Sequence, residues 1–228
     1  IGEIREDGTE NVITALQIAA ERIEQGLRAG QPMVQEVAIS FGRHLWRGCR
    51  STKESSTDFG AFRSFNYPSL ADMDLHITYH QDFLRRAEQD KPLTLQTDMS
   101  ETVGIISVYP GLTQAVLARQ LETPGMQGFV LRTFGAGNAP TASWFTDTIA
   151  DAVKSGKVLV NITQCPAGGV EQERYATGDA LADAGVITGL DMTCEAALTK
   201  MMSLFGRGLD AARVAELMPQ SLVGELSD

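Results

Sequence analysis

Apolar positions early in the chain recur at three- and four-residue steps. In TENVITALQIAAERIEQGLR (9–28), Val12, Leu16, Ala19, Ala20 and Ile23 fall on one helical face, the spacing of a helix with one buried stripe. Asp7 or Thr9 is the expected N-cap and Gly30 the expected stop. VQEVAISF (34–41) then alternates, with Val37, Ile39 and Phe41 on one side, as a strand does. Gly42-Arg43 predicts a tight turn into LWRG (45–48). Residues 49–70 are rich in Ser and Thr and have no period, which predicts a long loop of the kind that often carries function. LHITYH (75–80) predicts a short strand.

A different rhythm begins near residue 103. VGIISVYP (103–110), GFVLRTF (128–134) and KVLVNITQ (157–164) are nearly continuous apolar runs, separated by helical patterns over 112–122 and 141–156. Strands of that kind alternating with helices predict βαβ units and a parallel sheet. Two further helices are expected near 193–206 and 209–218. Residues 81–96 are charged and contain Pro92. They are read as a linker between an α/β domain over 1–80 and a second over 97–228.

Composition narrows the classes. Of 228 residues, 43% are hydrophobic and 21% charged, values typical of globular domains rather than disordered chains. Lys plus Arg is 19 against 29 Asp plus Glu, a net charge of −10. That balance argues against nucleic acid and anionic membranes as partners. No run approaches the roughly 18 apolar residues of a membrane span, and IGEIREDG at the start has no signal-peptide pattern. Cys49, Cys165 and Cys194 lack C-x-x-C spacing, which fits free thiols in a reducing cytoplasm. The chain opens with Ile1, so a cleavage product or a fragment is expected.

Candidate chemistry lies in a few segments. Ligands of parallel sheets sit beyond the carboxyl ends of the strands. FGAGNAP (134–140) and TQCPAGGV (163–170) fall there, presenting Asn138 and Cys165 on glycine-rich turns. Neither has a phosphate-loop signature, and the first, taken alone, reads foremost as a plain strand–helix turn. In RGCRSTK (47–53), Lys53 follows Arg47 and Arg50. Neighbouring positive charge disfavours the charged form of a lysine, which can then move protons; on the residues alone a solvated basic surface loop is the favoured reading. His76 and His80 would share one face, but no third ligand is evident, so no metal is expected. His44 has no evident partner. DGTE (7–10) and ATGDA (176–180) read as caps or turns. In DMTCEAALTK (191–200), Thr193 is the expected N-cap, with Glu195 in the first turn of a helix.

Taken in order, RGCRSTK (47–53), DFGAFRSFNYPSLAD (58–72), VLRTFGAGNAP (130–140), VNITQCPAGGV (160–170) and YATGDALADAGVITGLDMTCEAALTKM (175–201) resemble bacterial L-asparaginases, closest to the cytoplasmic type I branch. LVGELSD (222–228) fits as well. The resemblance implies a two-domain α/β fold with parallel sheets flanked by helices. It also implies a homodimer or homotetramer that hydrolyses the side-chain amide of L-asparagine to L-aspartate and ammonia, without metal or organic cofactor. The family uses a threonine nucleophile. Lys53 matches its lysine, which helps accept the hydroxyl proton in concert with an aspartate. Asn138 and Glu195 match residues lent across the dimer to bind substrate. Thr52, Arg132 and Cys165 match positions lining a second site, where asparagine acts as an allosteric activator.

The family's T-G-G-T and H-G-T-D motifs, which hold the nucleophile, the second threonine and the aspartate, have no counterpart here. A lysine can tune a nucleophile but cannot replace it. The chain is therefore expected to be the C-terminal two-thirds of an enzyme, its N-terminal domain incomplete and its nucleophile on other polypeptide, such as a separate N-terminal chain. Two alternatives stay open: a non-catalytic asparagine-binding fragment, and a related glutaminase.

Overall fold

The computed structural model describes residues 8–87, 94–171 and 176–227. The chain divides into two compact units, 1–94 and 95–228.

In the first unit, helix α1 spans Gly8–Ala20, shorter than the sequence predicts. The Arg22 guanidinium turns back and donates to the carbonyls of Ala19, Ala20 and Glu21 at 3.0–3.1 Å. Those carbonyls are thereby satisfied without a further turn. Arg22 then pairs with Pro32 in an isolated bridge. The predicted stripe is also revised. Ile18 is the buried side chain of α1, while Val12, Ile13 and Leu16 are exposed.

Strands β1 (Ala38–Phe41) and β2 (His44–Arg47) pair antiparallel with Phe41 opposite His44, so Gly42-Arg43 is the two-residue turn the sequence predicts. Gly42 takes φ +61°, a conformation that hairpin turns require and glycine adopts without strain. β5 (Ala71–Met73) and β6 (Ile77–Tyr79) extend this sheet in the order β1-β2-β5-β6. The sheet of this unit is thus antiparallel: tight turns join β1 to β2 and β5 to β6, and the 48–70 segment returns the chain from β2 to β5. Within the predicted loop, β3 (Thr52–Lys53) and β4 (Phe62–Arg63) form a separate two-stranded ladder. The apolar core is small: Ile18, Leu45, Leu70, Ala71, Met73 and Leu84. Beside it lies a buried ion pair, Arg47 Nε to Glu36 Oε2 at 2.5 Å, with side chains 5% and 8% exposed.

The second unit is the predicted βαβ array. Strands β7 (Val103–Ser107), β8 (Gly128–Thr133), β9 (Val158–Thr163) and β10 (Ile187–Thr188) are parallel, in the order β10-β9-β8-β7. The connecting helices are α2 (Gln114–Leu121), α3 (Ser143–Lys154) and α4 (Ala176–Asp183). Alternate residues of β8 and β9 serve opposite cores. Phe129, Leu131 and Leu159 pack with Leu117, Phe145 and Ile149 on one face. Val130, Val160 and Ile162 pack on the other against α5 (Cys194–Gly206) and α6 (Ala211–Leu217). Each such buried side chain contributes about 1.5–3 kcal/mol. The segment after α6 is pinned by a second buried pair. Lys200 Nζ lies 2.5 Å from Glu225 Oε1 and donates to the Met218 carbonyl at 2.9 Å.

Candidate active site

The carboxyl ends of the second sheet carry two glycine-rich turns and a helix start. β8 leads into a turn in which the amides of Gly137 and Asn138 donate to the Phe134 carbonyl at 3.0 and 2.7 Å. Gly137 sits at φ +113°, and a Cβ there would come within 2.9 Å of Val170 Cγ1. No other residue fits this backbone and this space together. Asn138, half-buried, leaves this turn toward α3. β9 leads into the second turn, on which Cys165 is exposed. Gln164, which the sequence reading passed over, joins the strand ends: its Nε2 donates to the Val108 carbonyl at 2.6 Å and the Arg132 carbonyl at 2.9 Å.

After β10, the Thr193 hydroxyl caps α5 by accepting from the Ala196 amide at 3.1 Å, as predicted. Glu195 is exposed in the first turn. Arg132 stands at the end of β8, and its charge reaches this helix start. Burial pushes the Cys194 thiol up, the Arg132 guanidinium opposes that, and Glu195 adds to it, so the thiol lies above its ordinary value. Arg132 and Glu195, assigned to different sites by the sequence resemblance, therefore flank one cysteine.

Two polar side chains lie fully buried beneath the first turn. The Thr133 hydroxyl donates to Asn161 Oδ1 at 2.7 Å, and both residues are 0% exposed. Polar residues at the carboxyl ends of otherwise apolar parallel strands were a signal available in GFVLRTF (128–134) and VLVNITQ (158–164).

Thr52 and Lys53 belong to the first unit. Thr52 is half-buried and Lys53 exposed. Lys53 pairs across the ladder with Phe62, its ammonium 5.9 Å from the ring centroid. The expectation that Arg47 and Arg50 crowd this lysine is corrected. Both guanidiniums turn to Tyr67, lying 4.2 and 5.3 Å from its ring centroid. Both arginines are buried, Arg50 donating to the Asn66 carbonyl at 3.0 Å. Burying them against an aromatic face and Glu36 recovers part of their lost hydration.

The histidines are also rearranged relative to expectation. His44 Nδ1 and His80 Nε2 meet opposite oxygens of Asp72 at 2.9 and 3.1 Å, and Ser69 donates to the same carboxylate at 2.9 Å. His76 is exposed. Burial pushes the Asp72 carboxyl up, but the hydrogen bonds from His44, Ser69 and His80 outweigh it and hold the group below its ordinary value. Among the described residues, no three His, Cys, Asp or Glu side chains are placed to hold a metal ion. None of the described helices is long and apolar enough to cross a membrane. A groove of about 460 Å³ between α2 and α3, lined by Gln114, Glu122, Asp151 and Lys157, contains none of the candidate residues.

Residues 1–85 match the family profile described as asparaginase, N-terminal, and residues 102–218 that of the glutaminase/asparaginase C-terminal domain. The chain belongs to the asparaginase family. It is 36% identical to L-asparaginase 1 of Escherichia coli (strain K12) over 227 residues, covering 100% of this chain and 64% of that protein. It is 38% identical to the human 60 kDa lysophospholipase, over 97% of this chain and 37% of that one. Among solved structures it is similar to L-asparaginase I from Vibrio cholerae, with a TM-score of 0.87 and 36% identity, covering 100% of this chain and 65% of that one. The chain thus spans just under two thirds of the length of these bacterial family members.

Proposed function

We propose that this chain forms part of a cytoplasmic L-asparaginase, hydrolysing the side-chain amide of L-asparagine to L-aspartate and ammonia. The observation that carries this is the 36% identity to an L-asparaginase across the whole chain. The ordered functional motifs add to it, with Asn138 and Glu195 both at the carboxyl edge of the second sheet. In this reading the nucleophilic threonine lies on polypeptide outside these 228 residues. Lys53, exposed on β3, assists removal of its proton. Asn138 and Glu195 bind substrate across a homodimer or homotetramer. Thr52, Arg132 and Cys165 line an effector pocket for a second asparagine. No metal or organic cofactor takes part.

The test is ammonia release from L-asparagine and from L-glutamine. The expected result is none from the 228 residues alone, and turnover of asparagine once polypeptide covering the unmatched third of the relatives is added. Robust turnover by this chain alone overturns the placement of the nucleophile. No turnover in the mixture, from folded components, overturns the activity. A faster rate with glutamine overturns the substrate.

A further inference from the structure

The two glycine-rich turns are not independent. The Thr163 hydroxyl, 9% exposed at the end of β9, donates to the Gly135 carbonyl at 2.5 Å and accepts from the Cys165 amide at 3.0 Å. One oxygen therefore uses its proton on the turn that carries Asn138 and a lone pair on the turn that carries Cys165. A second tie, from the Glu171 amide to the Ala136 carbonyl at 3.0 Å, runs between backbones. A substitution at 163 can cut the first tie while leaving the second in place.

We propose that Thr163 is a positioning residue that locks the Asn138 turn and the Cys165 turn to each other, so that occupancy at one is felt at the other. This rests on the roles given to Asn138 and Cys165 in the proposed function. Thr163 itself touches neither ligand. Its donated bond restrains Gly135, three residues before Asn138. Its accepted bond fixes the first peptide of the Cys165 turn. Coupling between sites needs an element whose arrangement both sites bias, and a hydroxyl shared by two turns has that form.

Amide hydrogen exchange on the full 228-residue chain reads the physical tie. Thr163→Val, which keeps the shape and removes the hydroxyl, should speed exchange at Gly137, Asn138 and Cys165 by about tenfold or more, as local opening energies fall. Strand amides at Val160 and Ile162 should be unchanged, and Thr163→Ser should restore all three sites. Acceleration at Cys165 alone, with Gly137 and Asn138 unmoved, overturns the proposal. If Thr163→Val does not fold, Thr163→Ala takes its place, because it adds no methyl group against the Gly135 carbonyl. Loss of the fold in both variants also overturns it, since a positioning group is dispensable to the sheet. The functional arm uses the complemented enzyme. A sigmoidal asparagine curve in wild type should become hyperbolic in Thr163→Val, with a Hill coefficient of about 1, and stay sigmoidal in Thr163→Ser. An unchanged sigmoid in Thr163→Val overturns the coupling. A hyperbolic wild-type curve removes the effector pocket and the coupling together. Neither kinetic result alters what exchange says of the tie.

Discussion

In the first unit, four antiparallel strands close over six buried apolar side chains and a buried arginine–glutamate pair. In the second, among the described residues, four parallel strands are covered by thirteen buried apolar residues on each face, with polar burial concentrated at strand ends and behind α6. The difference is in what each unit uses to exclude water. A parallel sheet flanked by helices hides both faces and can be built from aliphatic side chains alone. A short hairpin sheet cannot, and here the gap is filled by Arg47 and Arg50 stacked on Tyr67. Such packing is sensitive to the loss of one partner, because the charge left behind stays buried.

One tryptophan lies in each unit, Trp46 in the first and Trp144 in the second, so the contrast can be measured. The largest effect is expected from Glu36→Leu, which leaves the Arg47 guanidinium buried without its carboxylate and should cost about 3–5 kcal/mol. Urea unfolding followed at Trp46, in a Trp144→Phe background, checks it. Adding Arg47→Met should recover most of the loss. A double variant as weak as the single one would show that the pair is not what holds this unit. Next is Leu131→Ala in the second unit. Leu131 is 0% exposed, and its truncation should cost about 2–5 kcal/mol. The loss should appear in the Trp144 transition but not in that of Trp46; equal shifts in both would mean that the units unfold as one.

The smallest effect concerns Asp72. Its carboxyl is held below the ordinary value of 3.8, so the stabilisation it brings is complete above that pH and is lost as pH falls through the lowered value. The first unit should therefore weaken below about pH 4, and Asp72→Asn should flatten that part of the acid unfolding curve read at Trp46. The group is 42% exposed, so solvent screens the interaction and the change is modest. An acid limb that stays equally steep in Asp72→Asn would assign it to other carboxylates.

What could be read from the residues alone follows the same division. The alternation over 103–164 was legible because continuous apolar strands and helical stripes have lengths and periods of their own. The Thr193 cap was legible because it is a local bond, to the Ala196 amide. The ladder of β3 and β4 was not, since two-residue strands have no period. His44 and Asp72 are 28 residues apart and meet only through strand pairing, which composition does not announce. The helix end at Ala20 depended on the Arg22 side chain folding back, although the apolar pattern continues to Ile23. Among the candidate residues, the resemblance supplied Lys53, Asn138 and Glu195. Thr163 and Gln164 were overlooked because their value lies in which carbonyls they reach.

The buried Arg47–Glu36 pair also has a thermal consequence. The cost of stripping water from charged groups falls on warming, whereas the gain from hiding hydrocarbon levels off. Heat thus raises the weight of the ionic contribution in each half of the chain, from Arg47–Glu36 in the first and Lys200–Glu225 in the second, and the shift is proportionally larger in the first, whose apolar core is smaller. Their ranking at room temperature need not be their ranking near the melting point.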